Sequence, residues 1–180
     1  MGTRIRRTGT LATALALIVA LSQAVGVGAS GPDIAAVRAA TARFHHISAA
    51  KAAGYGLLPA PAPLHECIMS LTGTGGMGFH FINAKLLDGN LDAAHPEAVI
   101  YGRVNHGHLR LVAVEYVVFE AAWIKAHGST AKPTLLGQKL TLVAAPNRYN
   151  IPAFYELHAW VWQKNSAGMF TDFNPAVSCN

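Results

Sequence analysis

The stretch that most limits what this chain can fold into is LRLVAVEYVVF, residues 109–119. It is apolar at odd and even positions alike and rich in β-branched and aromatic side chains. A strand of that kind needs cover on both faces, so it belongs at the centre of a sheet or in a barrel wall. Its one acid, Glu115, lies in the middle of AVEYVV. A buried carboxylate costs several kcal/mol unless it is paired, hydrogen-bonded or bound to a metal. Alternation places Glu115 on the face of Leu111, Ala113 and Val117. The rest of the chain has to supply both the cover and the partner.

Other strands surround this one. Residues 98–104 and 108–119 flank Asn105-His106-Gly107, which reads as a hairpin turn. MGFHFIN, residues 77–83, alternates Phe79 and Phe81 against His80 and Ile82. Residues 135–144 form a further strand, and residues 153–163 another. The latter contains ELHAWVW, which puts Glu156, His158, Trp160 and Trp162 on one face and Leu157, Ala159 and Val161 on the other. Upstream, Ser30-Gly31-Pro32-Asp33 opens a helix, Ile34, Val37, Thr41, Phe44 and Ser48 make its apolar stripe, and Gly54 ends it. Pro59, Pro61 and Pro63 keep residues 55–76 in loop conformation. One helix followed by hairpin-linked strands predicts an α+β domain: a curved antiparallel sheet, or a small barrel-like one, with the N-terminal helix packed on it. Such a sheet encloses a pocket between itself and the helix.

The first 29 residues read as a signal peptide. Arg4, Arg6 and Arg7 precede an apolar run from Leu11 to Leu21, and small residues follow. The run is short for a membrane span, and no second segment of spanning length follows residue 30. Residues 30–180 are therefore expected to form a single exported domain, extracellular or in the cell envelope. The leader holds 3 of the 14 Lys and Arg and none of the 9 Asp and Glu, leaving 11 against 9, a formal +2. With no basic stripe, a nucleic-acid partner is not expected. Cys67 and Cys179 are the two cysteines, and in an exported protein they are expected to bond.

All nine histidines lie outside the leader. His80, Glu115 and His158 are each a polar residue inside a largely apolar strand-like segment. If their faces meet, they make a His-His-carboxylate set for a divalent transition metal such as zinc, iron or copper. Glu156 would then stand beside His158 as a base or as a group orienting the ligands. Two readings compete with this one. In the first, the pocket binds a small apolar or aromatic molecule against Trp160 and Trp162. In the second, the polar residues form a buried network in a structural secreted domain. His65-Glu66-Cys67 and the pair His106 and His108 carry ligand types without a complete local set. TGTGGMG, residues 72–78, lacks the Lys-Ser/Thr ending of a phosphate loop, and no G-x-S-x-G occurs. Any catalysis would rest on the metal.

GGMGFHFIN, HPEAVIYG, LVAVEYVV, PNRYNIPAFYELHAWVWQKNSAGMF and NPAVSC together resemble an uncharacterised family of small exported bacterial proteins. The resemblance spans roughly residues 33–180. It implies export and a single domain and brings no established activity. Asn165-Ser166 departs from the Asn-Pro expected there.

Overall fold

The computed structural model describes residues 34–59, 64, 66–104, 107–128 and 131–179, together with Met1 and Gly2. The leader, the helix opening at 30–33, Pro61, Pro63, His65 and the Asn105-His106 turn lie outside the described residues. The helices are α1 (Ile34–Thr41), α2 (Ile47–Ala52) and α3 (Glu120–His127). The strands are β1 (Ile68–Met69), β2 (Gly76–Ile82), β3 (Ala98–Arg103), β4 (Leu109–Phe119), β5 (Thr134–Leu135), β6 (Gln138–Lys139), β7 (Thr141–Val143) and β8 (Phe154–Ala159). Six of them form one antiparallel sheet in the order β1-β2-β3-β4-β8-β7, curled into a half-barrel, which makes the fold α+β. β4 lies in its interior between β3 and β8, as its two apolar faces require. No helix among the described residues is long and apolar enough to cross a membrane.

The faces of the sheet do different work. Phe81, Val99, Tyr101, Val114, Tyr116 and Leu157 form the main core with Val37 and Phe44 of the N-terminal helical segment. The opposite face carries His80, Ala98, Glu115, Glu156 and His158. Part of that face is packed by Ile68, Met77, Tyr149 and Phe154, and part by Val177 of the tail with Ile100, Val112, Ala113 and Trp160. The disulfide Cys67–Cys179 forms as expected and ties that tail to the segment before β1.

Four local expectations are corrected. Leu111 does not share a face with Glu115. The β3–β4 pairing steps from Ile100↔Ala113 to Tyr101↔Leu111, so Val112 is an extra residue and parity inverts at this bulge. The N-terminal helix is not continuous. Residues Ala42–His45 tighten into a 3-10 turn and His46 is extended. Thr41 bonds back to the Val37 carbonyl, and the Tyr101 hydroxyl takes the Phe44 carbonyl at 2.6 Å, drawing backbone acceptors out of the helical ladder. Residues 135–144 are not one strand, because Leu136 and Gly137, at φ 50° and 70°, turn the chain between β5 and β6. Finally, strand geometry ends at Ala159. The Val161 N–H donates to the Ala159 carbonyl in a three-residue turn, so alternation stops before Trp162.

Gly78 lies two residues before His80 on β2. It has φ +106°, and a Cβ there would meet the Tyr101 carbonyl oxygen at 2.6 Å. Gly78→Ala is expected to cost roughly 1–3 kcal/mol, read by denaturant unfolding. An unchanged midpoint would show that β2 can adjust without strain.

Candidate metal centre

Three neighbouring strands bring the centre together. Glu115 on β4 stands directly across from His158 on β8. On its other side it faces Ala98 of β3, and Ala98 in turn faces Ile82 of β2. His80 is thus two strands from Glu115, about 10 Å between backbones. The small Ala98 side chain and the curl of the sheet let the two side chains close that gap. His80 Nε2 lies 3.4 Å from Glu115 Oε2 and 3.4 Å from His158 Nε2. His158 Nε2 lies 3.8 Å from Glu115 Oε1. One ligand atom from each of the three residues falls within 4.8 Å of the others. Their exposures are 2 %, 5 % and 0 % for His80, Glu115 and His158.

These separations bear on the choice between a polar network and an ion site. Good hydrogen bonds to nitrogen run about 2.7–3.2 Å. All three contacts are longer, and Nδ1 of both His80 and His158 is buried without a hydrogen-bond partner. An ion at the two Nε2 atoms would leave both Nδ1 atoms unsatisfied as well, so these atoms do not separate the two readings. A tetrahedral ion with bonds of about 2.1 Å holds its ligand atoms about 3.4 Å apart, close to what the two histidines and Glu115 show.

Asp172 Oδ1 lies 3.8 Å from His158 Nδ1. The Gly78 backbone favours the protonated form of His80 but is outweighed by burial. Protons on the two Nδ1 atoms would leave the Nε2 lone pairs facing the common point, which is the tautomer a metal needs. Burial lowers His80 to about 4 and holds His158 well below its ordinary value, with His80 adding to the second effect. Both rings are therefore neutral at neutral pH. Burial raises Glu115 well above the usual carboxylate range, and the neighbouring Glu156 raises it further. Burial also takes Glu156 to about 7, with Asp172 adding. Without an ion the cluster protects itself by staying uncharged, and the proton on Glu115 is one that a metal would displace.

Glu156, expected beside His158, lines a cavity with His80 and Glu115, and this cavity lies on the sheet face away from the N-terminal helical segment rather than between sheet and helix as expected. Trp160 and Trp162 do not line that cavity. Trp160 stays on the His158 face, its ring 6.4 Å from the imidazole, and donates to the Thr171 carbonyl. Trp162 turns to the helix face and donates to Thr41 Oγ1. Both line a separate surface cleft with Arg38 and Lys164. The aromatic wall of the cavity is Phe119, Tyr149 and Phe154 instead. Cys67 is committed to the disulfide and holds no metal, and His108 is exposed.

Two acids escaped the sequence reading. Asp172 lies in an irregular tail with no period to expose it. Glu97, 2 % exposed, accepts the Val117 N–H at 3.0 Å and borders the cavity. Its signal was an acid at the head of the apolar run AVIY. Burial raises it from 4.5 to about 8, against the Val117 hydrogen bond. Its native pKa exceeds its unfolded value, so the stability it contributes is complete below pH 4.5 and is lost as the pH rises through about 8. Glu97→Gln keeps the acceptor and removes the titration. The metal-free variant is expected to lose up to about 1.4 kcal/mol per pH unit of the wild type's decline between pH 6.5 and 8. Equal slopes in urea unfolding would contradict this.

No protein-family model matches the chain, and no curated protein or solved structure matches it, so the chemistry of the centre has to be read from its own side chains.

Proposed function

We propose that this is an exported metal-binding protein in which His80, Glu115 and His158 hold one divalent transition ion, zinc, iron or copper. The observation that carries it is the convergence of three buried ligand atoms at metal-like spacing. Nitrogen and carboxylate donors suit these ions, and no free thiolate is present to select a softer one. Three protein ligands leave a coordination position open, where an ion supplies Lewis acidity and an activated water. Glu156, raised to about 7, lines the same cavity as Glu115 and can accept a proton there. Export is supported by the N-terminal leader and by the disulfide, which persists in oxidising compartments.

The test is elemental analysis of the purified protein with titration of Zn²⁺, Fe²⁺ and Cu²⁺ into the metal-free form. One ion per chain is expected, with a rise in melting temperature. Free ion at 100 times Kd adds about 2.7 kcal/mol. A chain that holds none of the three and melts unchanged in their presence would leave a buried polar network as the remaining account.

A further inference from the structure

A cavity of about 100 Å³ adjoins the centre on the Glu115 face. Ile68, Val117 and Phe154 give it an apolar wall, and His80, Glu115 and Glu156 give it one polar corner. We infer that this cavity receives the molecule on which the bound ion acts, and that this molecule is small, uncharged and largely apolar.

Size follows from volume. An apolar cavity of about 150 Å³ takes up benzene or xenon. At about 100 Å³, the same packing leaves room for about four heavy atoms, from a diatomic gas to a short-chain alcohol or ketone. Charge follows from the lining. Among the described residues no Lys or Arg lines the cavity, whereas Glu97, Glu115 and Glu156 do. With Glu115 on the ion and Glu97 and Glu156 also lining the cavity, an anion meets acidic side chains there. An organic cation would lie against the ion itself. Desolvating either charge among Ile68, Val117 and Phe154 costs several kcal/mol without repayment. A neutral molecule with one polar atom toward His80 and Glu115 meets none of these penalties.

The inferred role rests on the metal reading, whereas occupancy of the cavity does not, and the experiment separates them. Xenon is the probe. In the purified metal-free protein, saturable xenon-dependent amide shifts are expected at Ile68, Val117 and Phe154. Xenon affinity is expected to fall at least tenfold in Val117→Phe and in Ile151→Phe, which fill the cavity from opposite elements; the second serves if the first does not fold. Zn²⁺ is then expected to change the xenon affinity at least twofold. Absent shifts at the lining residues, or shifts that survive both filled variants, overturn the cavity as a binding site. Xenon binding that Zn²⁺ leaves unaltered, in a protein that demonstrably holds Zn²⁺, overturns its link to the ion. Xenon binding in a protein that takes no metal sinks the metal reading and, with it, the inferred role.

Discussion

His158→Ala is expected to lower metal affinity by roughly 10²–10³-fold. Structural zinc in zinc-finger peptides is worth about 10–16 kcal/mol in apparent binding free energy over four ligands, so one ligand accounts for several kcal/mol. The measurement is chelator competition on the metal-free protein, with elemental analysis as a check. Truncating a fully buried ring also opens a hole, so His158→Ala loses stability in the metal-free state too. Asp172→Asn removes that ambiguity. Its side chain is 39 % exposed and 3.8 Å from His158 Nδ1, so the fold tolerates the change. Losing the carboxylate behind a ligating histidine costs about 10–100-fold in metal affinity. The decisive pattern is a graded one, a large loss for His158→Ala and a smaller one for Asp172→Asn at unchanged metal-free melting. Equal affinity in wild type and His158→Ala would remove the centre from consideration.

The centre was legible in the sequence because burial makes polar residues expensive. Glu115 inside AVEYVV had to have a partner, and His80 and His158 were the polar interruptions in the other two strand-like segments. Each of these strands keeps regular strand geometry from its site residue to the neighbouring pairs, so a period of two located the side chains. Alternation failed wherever a long-range contact changed the local count. The bulge at Val112 exists because its carbonyl also accepts the N–H groups of Trp162 and Gln163, which lie 50 residues away in sequence. The same event moved Leu111 off the Glu115 face. The break between α1 and α2 follows from the Tyr101 hydroxyl reaching the Phe44 carbonyl, a contact 57 residues apart. α3 carries EAAWIKAH, too short for a periodic signal, although Gly128 at φ +62° is the kind of stop that marks a helix end. Trp162 misled for a related reason: its parity was read through a turn. Asp172 could not be read at all, since a tail without period shows no face.

The tail's dependence on its anchor leads to the second large effect. Replacing Cys67 and Cys179 with serine is expected to lower stability by roughly 4–5 kcal/mol, because the bridge closes 112 residues. For a chain of this size that is on the order of a 10–20 °C fall in melting temperature. Treating the wild type with a reductant is expected to reproduce the fall. Chain entropy is one part of the loss, and the tail's contacts let the other part be measured. Asp172 stands behind His158, Asn174 pairs with Gly76 and its side chain donates to the Lys164 carbonyl, and Val177 packs with Trp160. An unanchored tail exchanges these contacts with water more often, so Asp172 spends less time behind the imidazole. Metal affinity in the double serine variant is therefore expected to fall toward that of Asp172→Asn. If stability drops as predicted while metal affinity stays at the wild-type value, the bridge acts on the unfolded chain alone and the non-covalent contacts suffice to hold the tail against the centre.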